Sequence, residues 1–568
     1  MSFLSIYLIT GPLFYIVKQS SDNGRIWLKV YDKGVPADVE CNEGKPYDFL
    51  KNTASKIPRK LAVVFFNYKI DYGRLKEKVD SFASYLKSLG VAKGDRVALD
   101  LPNCPQYIIA YYAINKIGAV ITQISPTYFK VEINRIIEDS GAKVLIIFDD
   151  LLPRIEETVS AFQNLIVVAT RIEDYLAFPL NFLYGLQRRA GKKFVKIPDK
   201  YRKFKEFEKF QSDPQENNDP LSLAVLQYTG GTTGIPKGAM LTNRNLVCNT
   251  IQSISIIPNP KFGEDTMLSV IPFFHVFGMT VAMNFPVKIG ATMVLQPKPE
   301  VEGILKLIKK YRPSFFPGVP TLYSGLLSND KIRNVDMKSV QYCISGSASL
   351  PVEIIEQWQR ITGGHLVEGY GLTEASPVTH VNPIFGRIKP GSIGIPIPST
   401  YAKIVDTETG TKEMPINSEG ELIIKGPQVM QGYYKNPDET AGVLKNGWLY
   451  TGDIAKMDEE GYFYIVDRKK DVIIVGGFNV YPREIEEILY QNPKVKEAAA
   501  VGVKEAEHGE VVKAFVVLKE GQAATEEEIK QFFQGKIAKF KIPRYVEFRQ
   551  ELPKTLVGKI LRRELREK

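Results

Sequence analysis

Apolar and polar residues alternate in blocks along the first part of the chain, before residue 221. The run LAVVFF at 61–66 predicts a buried strand, and 72–89 has a helical period that ends at Gly90. Further strands are predicted in DRVALDLPN (95–103) and AKVLIIFDD (142–150), with an apolar helix at 106–117 between them. Repeated strand and helix units predict parallel sheets covered by helices.

An irregular insertion at residues 176–210 interrupts this pattern, with the sequence LAFPLNFLYGLQRRAGKKFVKIPDKYRKFKEFEKF. Its first part carries large apolar residues, and its second part is densely cationic. A solvated lobe is one interpretation. The other is contact with a membrane surface, where apolar residues enter the headgroup region and lysines meet anionic lipid.

Residues 1–17, MSFLSIYLITGPLFYIV, form the one stretch that resembles a membrane segment, because they carry no charged side chain. They are shorter than the ~20 residues that a spanning helix needs, and a Gly-Pro pair interrupts them. A secretory signal fits poorly, since a basic start and a small-residue cleavage site are missing. A short interfacial anchor, a packing segment and an upstream extension of the reading frame are equal alternatives.

The most informative break in the pattern follows the apolar run LAVLQY and has the sequence LQYTGGTTGIPKG, residues 226–238. Glycines let consecutive backbone N–H groups point at one anion, threonine hydroxyls add donors, and lysine adds a positive charge. These residues are Thr229, Gly230, Gly231, Thr232, Thr233, Gly234 and Lys237. The composition predicts a loop that binds phosphate.

The sequence has two alternative interpretations. A P-loop NTPase has glycine directly before the lysine and a hydroxyl residue after it, whereas Pro236 and Gly238 flank the lysine here. A threonine-rich surface turn without a ligand is the second alternative, since short motifs also match by chance.

The stretch resembles the signature of the adenylate-forming superfamily, which includes acyl-CoA synthetases, 4-coumarate ligases, luciferases and peptide-synthetase adenylation domains. Its form QYTGGTTG…KGAMLT, residues 227–242, is most similar to the long-chain fatty-acyl-CoA ligases. Asn243 departs from the resemblance, because histidine is expected after LT. The phosphate chemistry does not depend on that position.

A second strong motif is EGYGLTEASP at 368–377. Tyr370 offers an aromatic face for a base, Thr373 a hydroxyl for the α-phosphate, and Glu374 an oxygen ligand for Mg²⁺. One carboxylate among phosphates suits Mg²⁺, so Thr229 and Glu374 are the predicted metal residues. The resemblance adds Glu368, Gly369 and Gly371 to the nucleotide site. A Gly-rich turn before a helix is the alternative without chemistry.

Three other segments gain a role mainly through the resemblance. SGSASLP at 345–351 is a small-residue loop, and the resemblance places adenine against Gly346, Ser347 and Ala348. In PFFHVFG, His275 is either a packed core residue or a residue that positions the substrate. FFPGVPTLY at 315–323 supplies Gly318 and Val319 to the implied acyl pocket.

The last part of the chain carries six further predicted residues. The resemblance implies that Asp453 and Arg468 bind the ribose and that Lys470 is the pivot of a rotating domain. The loop GGFNVYPRE, with Gly476 and Gly477, would then face the pantetheine tunnel. Lys559, in a tail whose proline, glycine and apolar pattern argue against disorder, would act on the adenylation transition state.

Composition narrows the class of protein. A chain of 568 residues with 44% hydrophobic and 24% charged residues indicates a soluble globular protein of two or more folding units. The net charge of +10 indicates a lysine-rich surface or attraction to anionic ligands or membranes. Nucleic acid is disfavoured, because no basic run is interleaved with aromatic residues.

Cysteine and histidine spacing excludes other classes. The four cysteines, at 41, 104, 248 and 343, show no C-x-x-C pair, which fits a reducing cytoplasm and not a disulfide framework. The four histidines are too scattered to build a zinc site.

Together the motifs predict an α/β fold with a large N-terminal adenylation domain of helix-covered, mostly parallel sheets at 1–466. A small mobile α+β domain follows at 467–568. The resemblance implies that a fatty carboxylate, ATP and CoA give an acyl adenylate and then acyl-CoA, with Mg²⁺ as cofactor. Alternatives are a medium-chain or aryl acid ligase and a non-catalytic nucleotide-binding or membrane-associated homologue. A cytoplasmic protein is expected, with peripheral membrane contact and a homodimer left open.

Overall fold

The computed structural model describes residues 24–191, 194–212, 216, 218–229, 236–257, 260–475, 478–505, 509–555 and 558–566. The apolar stretch 1–17 lies outside these residues. So do Gly230, Gly231, Thr232, Thr233 and Gly234 of the phosphate loop, and also Gly476 and Gly477. What the sequence predicts for them therefore stays a prediction.

Residues before the phosphate loop alternate between strands and helices. The strands are β1 (Leu61–Phe65), β2 (Tyr68–Asp71), β3 (Arg96–Asp100), β4 (Val120–Gln123), β5 (Val144–Phe148), β6 (Ile166–Thr170), β7 (Arg202–Lys203) and β8 (Leu223–Thr229). The helices are α1 (Pro46–Lys56), α2 (Tyr72–Ser88), α3 (Pro105–Lys116), α4 (Lys130–Ser140), α5 (Glu156–Ala161) and α6 (Leu180–Ala190). The strands and helices predicted between 61 and 150 are confirmed, with small shifts at their ends.

The middle of the chain adds further strands and helices. The strands are β9 (Lys237–Thr242), β10 (Thr266–Ser269), β11 (Thr292–Leu295), β12 (Tyr342–Ser345), β13 (His365–Gly371), β14 (Val378–Val381), β15 (Ile395–Pro396), β16 (Tyr401–Val405), β17 (Gly420–Lys425), β18 (Leu444–Lys445), β19 (Trp448–Met457) and β20 (Phe463–Arg468). The helices are α7 (Asn243–Ser255), α8 (Phe285–Lys288), α9 (Val301–Tyr311), α10 (Pro320–Leu327), α11 (Val352–Thr362) and α12 (Pro437–Val443). Thr242 caps α7, since its hydroxyl accepts from the backbone N–H of Asn245.

The C-terminal part forms a smaller unit. Its strands are β21 (Ile473–Val475), β22 (Phe478–Val480), β23 (Val495–Glu505), β24 (Gly509–Leu518) and β25 (Tyr545–Phe548), and its helices are α13 (Pro482–Tyr490), α14 (Glu526–Gln531) and α15 (Arg562–Arg566). Short 3₁₀ helices occur at Ile26–Val30, Asp149–Arg154, Ile172–Tyr175, Phe204–Lys209, Asp330–Asn334, Thr373–Ala375 and Lys539–Lys541, and a π-helix at Gly278–Asn284.

Five sheets organise the described residues. The largest has the strand order β7-β6-β5-β3-β4-β8-β9, parallel except for the β8-β9 pair. A second, β10-β11-β1-β2, and a third, β12-β13-β14-β15, begin with parallel pairs and end with antiparallel ones. Phe315 bridges to Met267 and Tyr342, and so joins these two sheets.

The remaining two sheets differ from the first three. The fourth, β16-β17-β19-β18 with β20 on β19, is antiparallel throughout, and short turns join β18 to β19 and β19 to β20. The fifth, β22-β21-β24-β23 with β25 on β24, belongs to the C-terminal unit and carries α13 against β23. The α/β class with a smaller α+β unit is confirmed.

One local prediction is wrong. The insertion at 176–210 was expected to be irregular, but residues 180–190 form α6. The helix was obscured by Gly185 within it, because glycine is a poor helix former. Tertiary contacts stabilise it, because Arg188 forms ion pairs with Asp149 and Glu173.

The structure also pairs two cysteines. Cys41 and Cys248 form a disulfide, with Cα atoms 5.2 Å apart, whereas the cysteine spacing predicts a reducing compartment without a disulfide framework. A separation of 207 residues gives no spacing signal. Cys104 and Cys343 are free and buried. Within the described residues, no helix is both long and apolar enough to cross a membrane.

Candidate active site

Asp453 and Arg468, both predicted to bind ribose, face each other across two strands. They are direct partners in the antiparallel pairing of β19 with β20. Arg468 Nε lies 2.8 Å from Asp453 Oδ1, and Asp453 is almost fully buried. The carboxylate keeps the partly exposed Arg468 charged and raises its pKa. The strand register therefore explains how two residues of separate motifs meet.

Tyr370 completes this group from a third segment. Its hydroxyl donates a hydrogen bond to Asp453 Oδ2, so both carboxylate oxygens have a partner. Each oxygen retains a second lone pair and can still accept a ribose hydroxyl. Tyr370 lies on β13 and is only partly buried, which leaves its ring available to a base.

Lys559 lies beside the Asp453 and Arg468 pair, although it comes from the far end of the chain. The positive charge of Arg468, together with partial desolvation of the ammonium, lowers the pKa of Lys559 to about 8, and Asp453 partly opposes this effect. The ammonium group is therefore close to its titration range at neutral pH. The residue itself remains exposed. An ammonium in such a position can meet negative charge on a phosphate.

A tight turn fixes the backbone of Lys559. Thr555 N–H donates to Lys559 O at 2.8 Å, and Lys559 N–H donates to Thr555 Oγ1 at 3.1 Å. Gly558 has φ of +75°, and a Cβ there would lie 3.1 Å from Thr321 Oγ1. The turn thus packs against the first turn of α10, next to the predicted acyl residues Gly318 and Val319.

His275 is a neutral residue on the same side of the site. Burial lowers its pKa to about 4, and the charge of Lys559 adds to this effect. The backbone N–H of Phe277 donates to His275 Nδ1 at 3.2 Å, so the proton lies on Nε2. A neutral imidazole with a free Nε2–H can donate to a carboxylate.

Glycines join the predicted acyl and adenine segments at close range. Gly318 pairs with Ser345 as an isolated β-bridge, and Gly346 N–H donates to Gly318 O at 3.2 Å. A Cβ at Gly318 would lie 2.7 Å from the ring of Tyr323, and one at Gly346 would lie 3.3 Å from that of Phe277. Small residues are needed here because aromatic rings occupy the adjacent space.

Glu368 holds the small-residue loop at 345–351 through a buried hydrogen bond. It is 4% exposed, and its Oε2 accepts from Leu350 N–H at 3.0 Å. Burial raises the pKa of Glu368 to about 7, although Arg483 opposes the shift. Ser347 and Ala348 are exposed on the loop, and Ser347 has φ of +71°. The Glu368 side chain therefore holds the loop, and the loop residues are the ones that a ligand can reach.

The segment after Glu368 also leaves little room for substitution. A Cβ added at Gly369 would lie 3.1 Å from the Ile344 side chain, and one added at Gly371 would lie 2.1 Å from the carbonyl oxygen of Pro377. Thr373 follows in a single 3₁₀ turn and is partly exposed beside Glu374.

Glu374 is oriented by a residue that the sequence analysis did not single out. Tyr433 Oη donates to Glu374 Oε1 at 2.7 Å, and Met430 N–H donates to the Glu374 carbonyl at 2.8 Å. Burial, together with the charge of Glu374, raises the pKa of Tyr433 well above its usual range, so the phenol remains a donor.

Lys237, at the described end of the phosphate loop, lies beside Tyr433. Thr229 and Lys237 are partners in the antiparallel β8-β9 pair, so the loop connects two strands of a hairpin. Lys237 Nζ lies 2.6 Å from Glu439 and 5.8 Å from the centre of the Tyr433 ring. The segment GYYKNPDET at 432–440 thus contacts both the loop and Glu374. Its Asn-Pro pair signals a helix start, but no chemistry-bearing pattern marks the tyrosine.

Lys470 lies in the turn between β20 and β21, where the fourth sheet ends and the fifth begins. Asp471 N–H donates to Arg468 O at 2.9 Å and closes this turn. Arg562 binds Glu486 within the C-terminal unit, with Nη2 2.7 Å from Oε2. The unit is therefore internally tied, and a short connection joins it to the rest of the chain.

Comparisons with known proteins show the family and the fold. The sequence profile described as "AMP-binding enzyme" matches residues 50–434, and "AMP-binding enzyme C-terminal domain" matches residues 484–559. A long-chain-fatty-acid–CoA ligase of Bacillus subtilis (strain 168) is 44% identical over 553 residues, which cover 95% of this chain and 97% of the relative. One of Escherichia coli O6:H1 is 39% identical over 554 residues, which cover 96% and 98%.

Among solved structures, ATP-bound MatB from Rhodopseudomonas palustris superposes with a TM-score of 0.81 at 29% identity, covering 92% of this chain and 98% of that one. The fold and the site define an adenylate-forming enzyme. The chain belongs to the AMP-binding enzyme family, and the resemblance noted in the sequence is confirmed.

Proposed function

We propose that this chain is a long-chain fatty acid–CoA ligase that works through an acyl adenylate. The observation that carries the proposal is the position of Lys559. Its turn packs against Thr321 beside the predicted acyl segment, and its ammonium lies near Arg468 and Asp453. Relatives named long-chain-fatty-acid–CoA ligase over nearly their whole length support the choice of substrate class.

In the first step, a carboxylate oxygen of the fatty acid attacks the α-phosphate of ATP. The new bond is an acyl–phosphate bond, and the bond to the β-phosphate breaks, which releases pyrophosphate. Lys559 and the donors of the phosphate loop stabilise the negative charge that develops. His275, which is neutral and carries its proton on Nε2, orients the attacking carboxylate.

In the second step, the sulfur of CoA attacks the acyl carbonyl, AMP leaves, and the thiol proton passes to solvent or to the leaving phosphate. Asp453 and Arg468 hold the ribose during both steps, while Gly346, Ser347, Ala348 and the Tyr370 ring hold the adenine. We infer that the C-terminal unit, beginning near residue 467, changes its orientation between the steps about Lys470.

The residues present fit Mg²⁺ bound together with ATP. Among the described residues, no three His, Cys, Asp or Glu side chains are grouped as a metal cage, so a self-contained protein site is not indicated there. A single carboxylate suits Mg²⁺, which prefers phosphate oxygens and water for its remaining ligands. Glu374, oriented by Tyr433, would hold the ion with Thr229, and the ion would neutralise charge on the phosphates.

The preferred chain length of the acid is measured directly. A panel of straight-chain acids from C2 to C20, with benzoate added, is assayed for CoA-dependent AMP release. We expect higher kcat/KM for long chains than for short chains or benzoate. Maximal activity on a medium-chain or aryl acid would mean that this acid, and not a long-chain acid, is the substrate. AMP release from none of the acids would overturn the ligase assignment.

A further inference from the structure

Helix α6 is fixed to the protein by one side only. Arg188, which is 5% exposed, lies on its inner side, with Nη2 3.0 Å from Asp149 and Nη1 2.9 Å from Glu173. Burial opposes the charge of Arg188, but the carboxylates of Asp149 and Glu173 outweigh it and raise its pKa far above the ordinary value, so the guanidinium remains an ion-pair partner. The helix is therefore held in a definite orientation, and its other side faces solvent.

That outer side is apolar. Phe182, Leu183 and Leu186 are 60%, 54% and 45% exposed, and Phe178, just before the helix, is 80% exposed. Positions 182, 183 and 186 lie on one face at helical spacing, roughly opposite Arg188. We call these four residues the outer face of α6. Large apolar side chains grouped on a surface mark an interaction site.

A loop from another sheet extends this patch. The Asn67 side chain donates to Ala177 O at 3.0 Å and accepts from Ala177 N–H at 2.9 Å. Phe66 precedes Asn67 in the chain and is 46% exposed, and Phe178 follows Ala177. The two hydrogen bonds thus bring Phe66 and the start of the outer face of α6 together.

The segment that contains α6 is rich in cations. Residues 176–210 contain ten Lys and Arg but three Asp and Glu, so they account for most of the +10 net charge of the chain. Arg189 lies two helical turns after Phe182 on the same side, is exposed, and stacks on Phe194 at 5.0 Å. Both residues of β7, Arg202 and Lys203, are exposed as well.

From this combination we propose that the outer face of α6 docks on an anionic lipid surface, with Phe178, Phe182, Leu183 and Leu186 among the headgroups and Arg189 on lipid phosphates. An exposed amphipathic helix with basic flanks is the form of an interfacial anchor. A second copy of this chain would bring the same excess of positive charge against itself. Charge complementarity therefore favours anionic lipid over self-association.

The test is sedimentation of the full chain with vesicles of phosphatidylcholine, with and without phosphatidylglycerol. We expect binding to the anionic vesicles at low salt and release at high salt, because surface charges are screened. Vesicle binding does not require the ligase reaction, so the result is independent of the proposed function. No binding of the intact chain to anionic vesicles at low salt would overturn the proposal.

Two variants locate the surface. Phe182→Ser with Leu186→Ser should lower the partition coefficient at least about tenfold, since two large apolar side chains no longer enter the interface. The control, Val352→Ser with Ile361→Ser, removes two exposed apolar residues of α11 and should bind as the unchanged chain does. Thermal midpoints of both variants check that they fold.

A charge-reversal variant tests the contribution of Arg189. Arg189→Glu should lower binding to anionic vesicles on the order of fivefold or more, whereas Arg333→Glu, the same charge change elsewhere on the surface, should have a smaller effect. Equal binding by the α6 variants and their controls would overturn the proposal. So would a dimer of the intact chain in size-exclusion chromatography that Phe182→Ser with Leu186→Ser dissociates, because the surface would then belong to a second copy.

Discussion

The hydroxyl of Tyr433 donates a hydrogen bond of 2.7 Å to Glu374 Oε1, although 59 residues separate the two in sequence. Lys237, at the end of the phosphate loop, lies 5.8 Å from the centre of the same ring. One tyrosine therefore contacts the proposed metal carboxylate and the phosphate-loop lysine. Its hydroxyl orients the carboxylate, and its ring packs beside the lysine.

Tyr433→Phe removes this hydrogen bond and keeps the ring. We expect the Mg²⁺ concentration for half-maximal adenylation to rise about 10- to 100-fold, in line with the loss of a partner that orients a metal ligand. Pyrophosphate release measured against Mg²⁺ at fixed ATP gives this value. A purely structural role would lower the thermal midpoint and leave the Mg²⁺ dependence unchanged.

Tyr434→Phe is the matched control, because the neighbouring tyrosine loses the same atom without contacting Glu374. Its Mg²⁺ dependence should be that of the unchanged chain. Glu374→Gln sets the upper limit, with adenylation slower by at least about 10²-fold. If Glu374→Gln were nearly normal at ordinary Mg²⁺, the ion would belong to another residue.

Lys559 should give adenylation an alkaline limit. The pKa of Lys559 is lowered to about 8 by the charge of Arg468 and by partial desolvation, and the protonated ammonium is the form that meets the phosphate. The ammonium is present below about pH 8 and is lost as pH rises through that value. We therefore expect kcat/KM for ATP, measured by pyrophosphate release, to fall about tenfold per pH unit above it.

Substitutions assign that limit. Lys559→Arg should lack it, because arginine stays protonated, while Lys554→Arg in the same tail should keep it. Lys559→Ala should abolish acyl-adenylate formation but spare thioester formation from supplied acyl adenylate. An unchanged limit in Lys559→Arg would assign the titration to another group, and equal loss of both half-reactions in Lys559→Ala would indicate a structural role.

The sequence contained the residue types of this site but not their contacts. Strand periodicity predicted the first strands and helices well, because burial on both faces gives continuous apolar runs such as LAVVFF. The motif carrying Glu374 was predictable, since its residue types match its chemistry. Tyr433 was not, because a tyrosine before Asn-Pro has no chemical signature until the fold brings it to Glu374.

Two other features depended on tertiary contacts. Helix α6 was missed because local propensity argued against it, while Arg188 and its carboxylate partners stabilise it. The pairing of Asp453 with Arg468 follows from strand register, which the charged run DRKKD could not reveal. The spacing of residues within one motif indicated their chemistry. The sequence separation between motifs did not indicate which residues come into contact.

Glu368 predicts a pH-dependent stability. Burial raises the pKa of its carboxyl to about 7 in the folded chain, from 4.5 when solvated. Between these values the unfolded chain ionises while the folded chain keeps its proton, so stability falls as pH rises and levels off above about 7. Glu368→Gln keeps an acceptor for Leu350 N–H and does not titrate.

The thermal midpoint of Glu368→Gln relative to the unchanged chain should therefore rise between pH 5 and pH 7 and then become constant. Glu353→Gln, an exposed glutamate on α11, is the control and should show no such trend. A midpoint difference for Glu368→Gln that is constant from pH 5 to pH 8 would mean that the carboxyl has an ordinary pKa in the folded chain.

The turn at Lys470 connects the C-terminal unit to the rest of the chain. In the described arrangement, the Lys559 turn packs against Thr321, which suits adenylation. Phe478, which directly follows the predicted CoA-side residues Gly476 and Gly477, is 61% exposed. One arrangement of the C-terminal unit thus places Lys559 at the site but leaves Phe478 in solvent. A rotation of the unit between the two steps accounts for both roles.

Lys470→Pro would fix φ near −65° and remove a backbone donor in that turn. We expect pyrophosphate release to remain largely intact and thioester formation from supplied acyl adenylate to slow selectively. Lys470→Ala, which removes the side chain but leaves the backbone free, is the control and should retain most of both rates. If Lys470→Pro slowed both half-reactions equally with an unchanged thermal midpoint, the pivot would lie elsewhere. A selective loss in the proline variant alone would show that backbone rotation at this residue, rather than its charge, is what the second step requires.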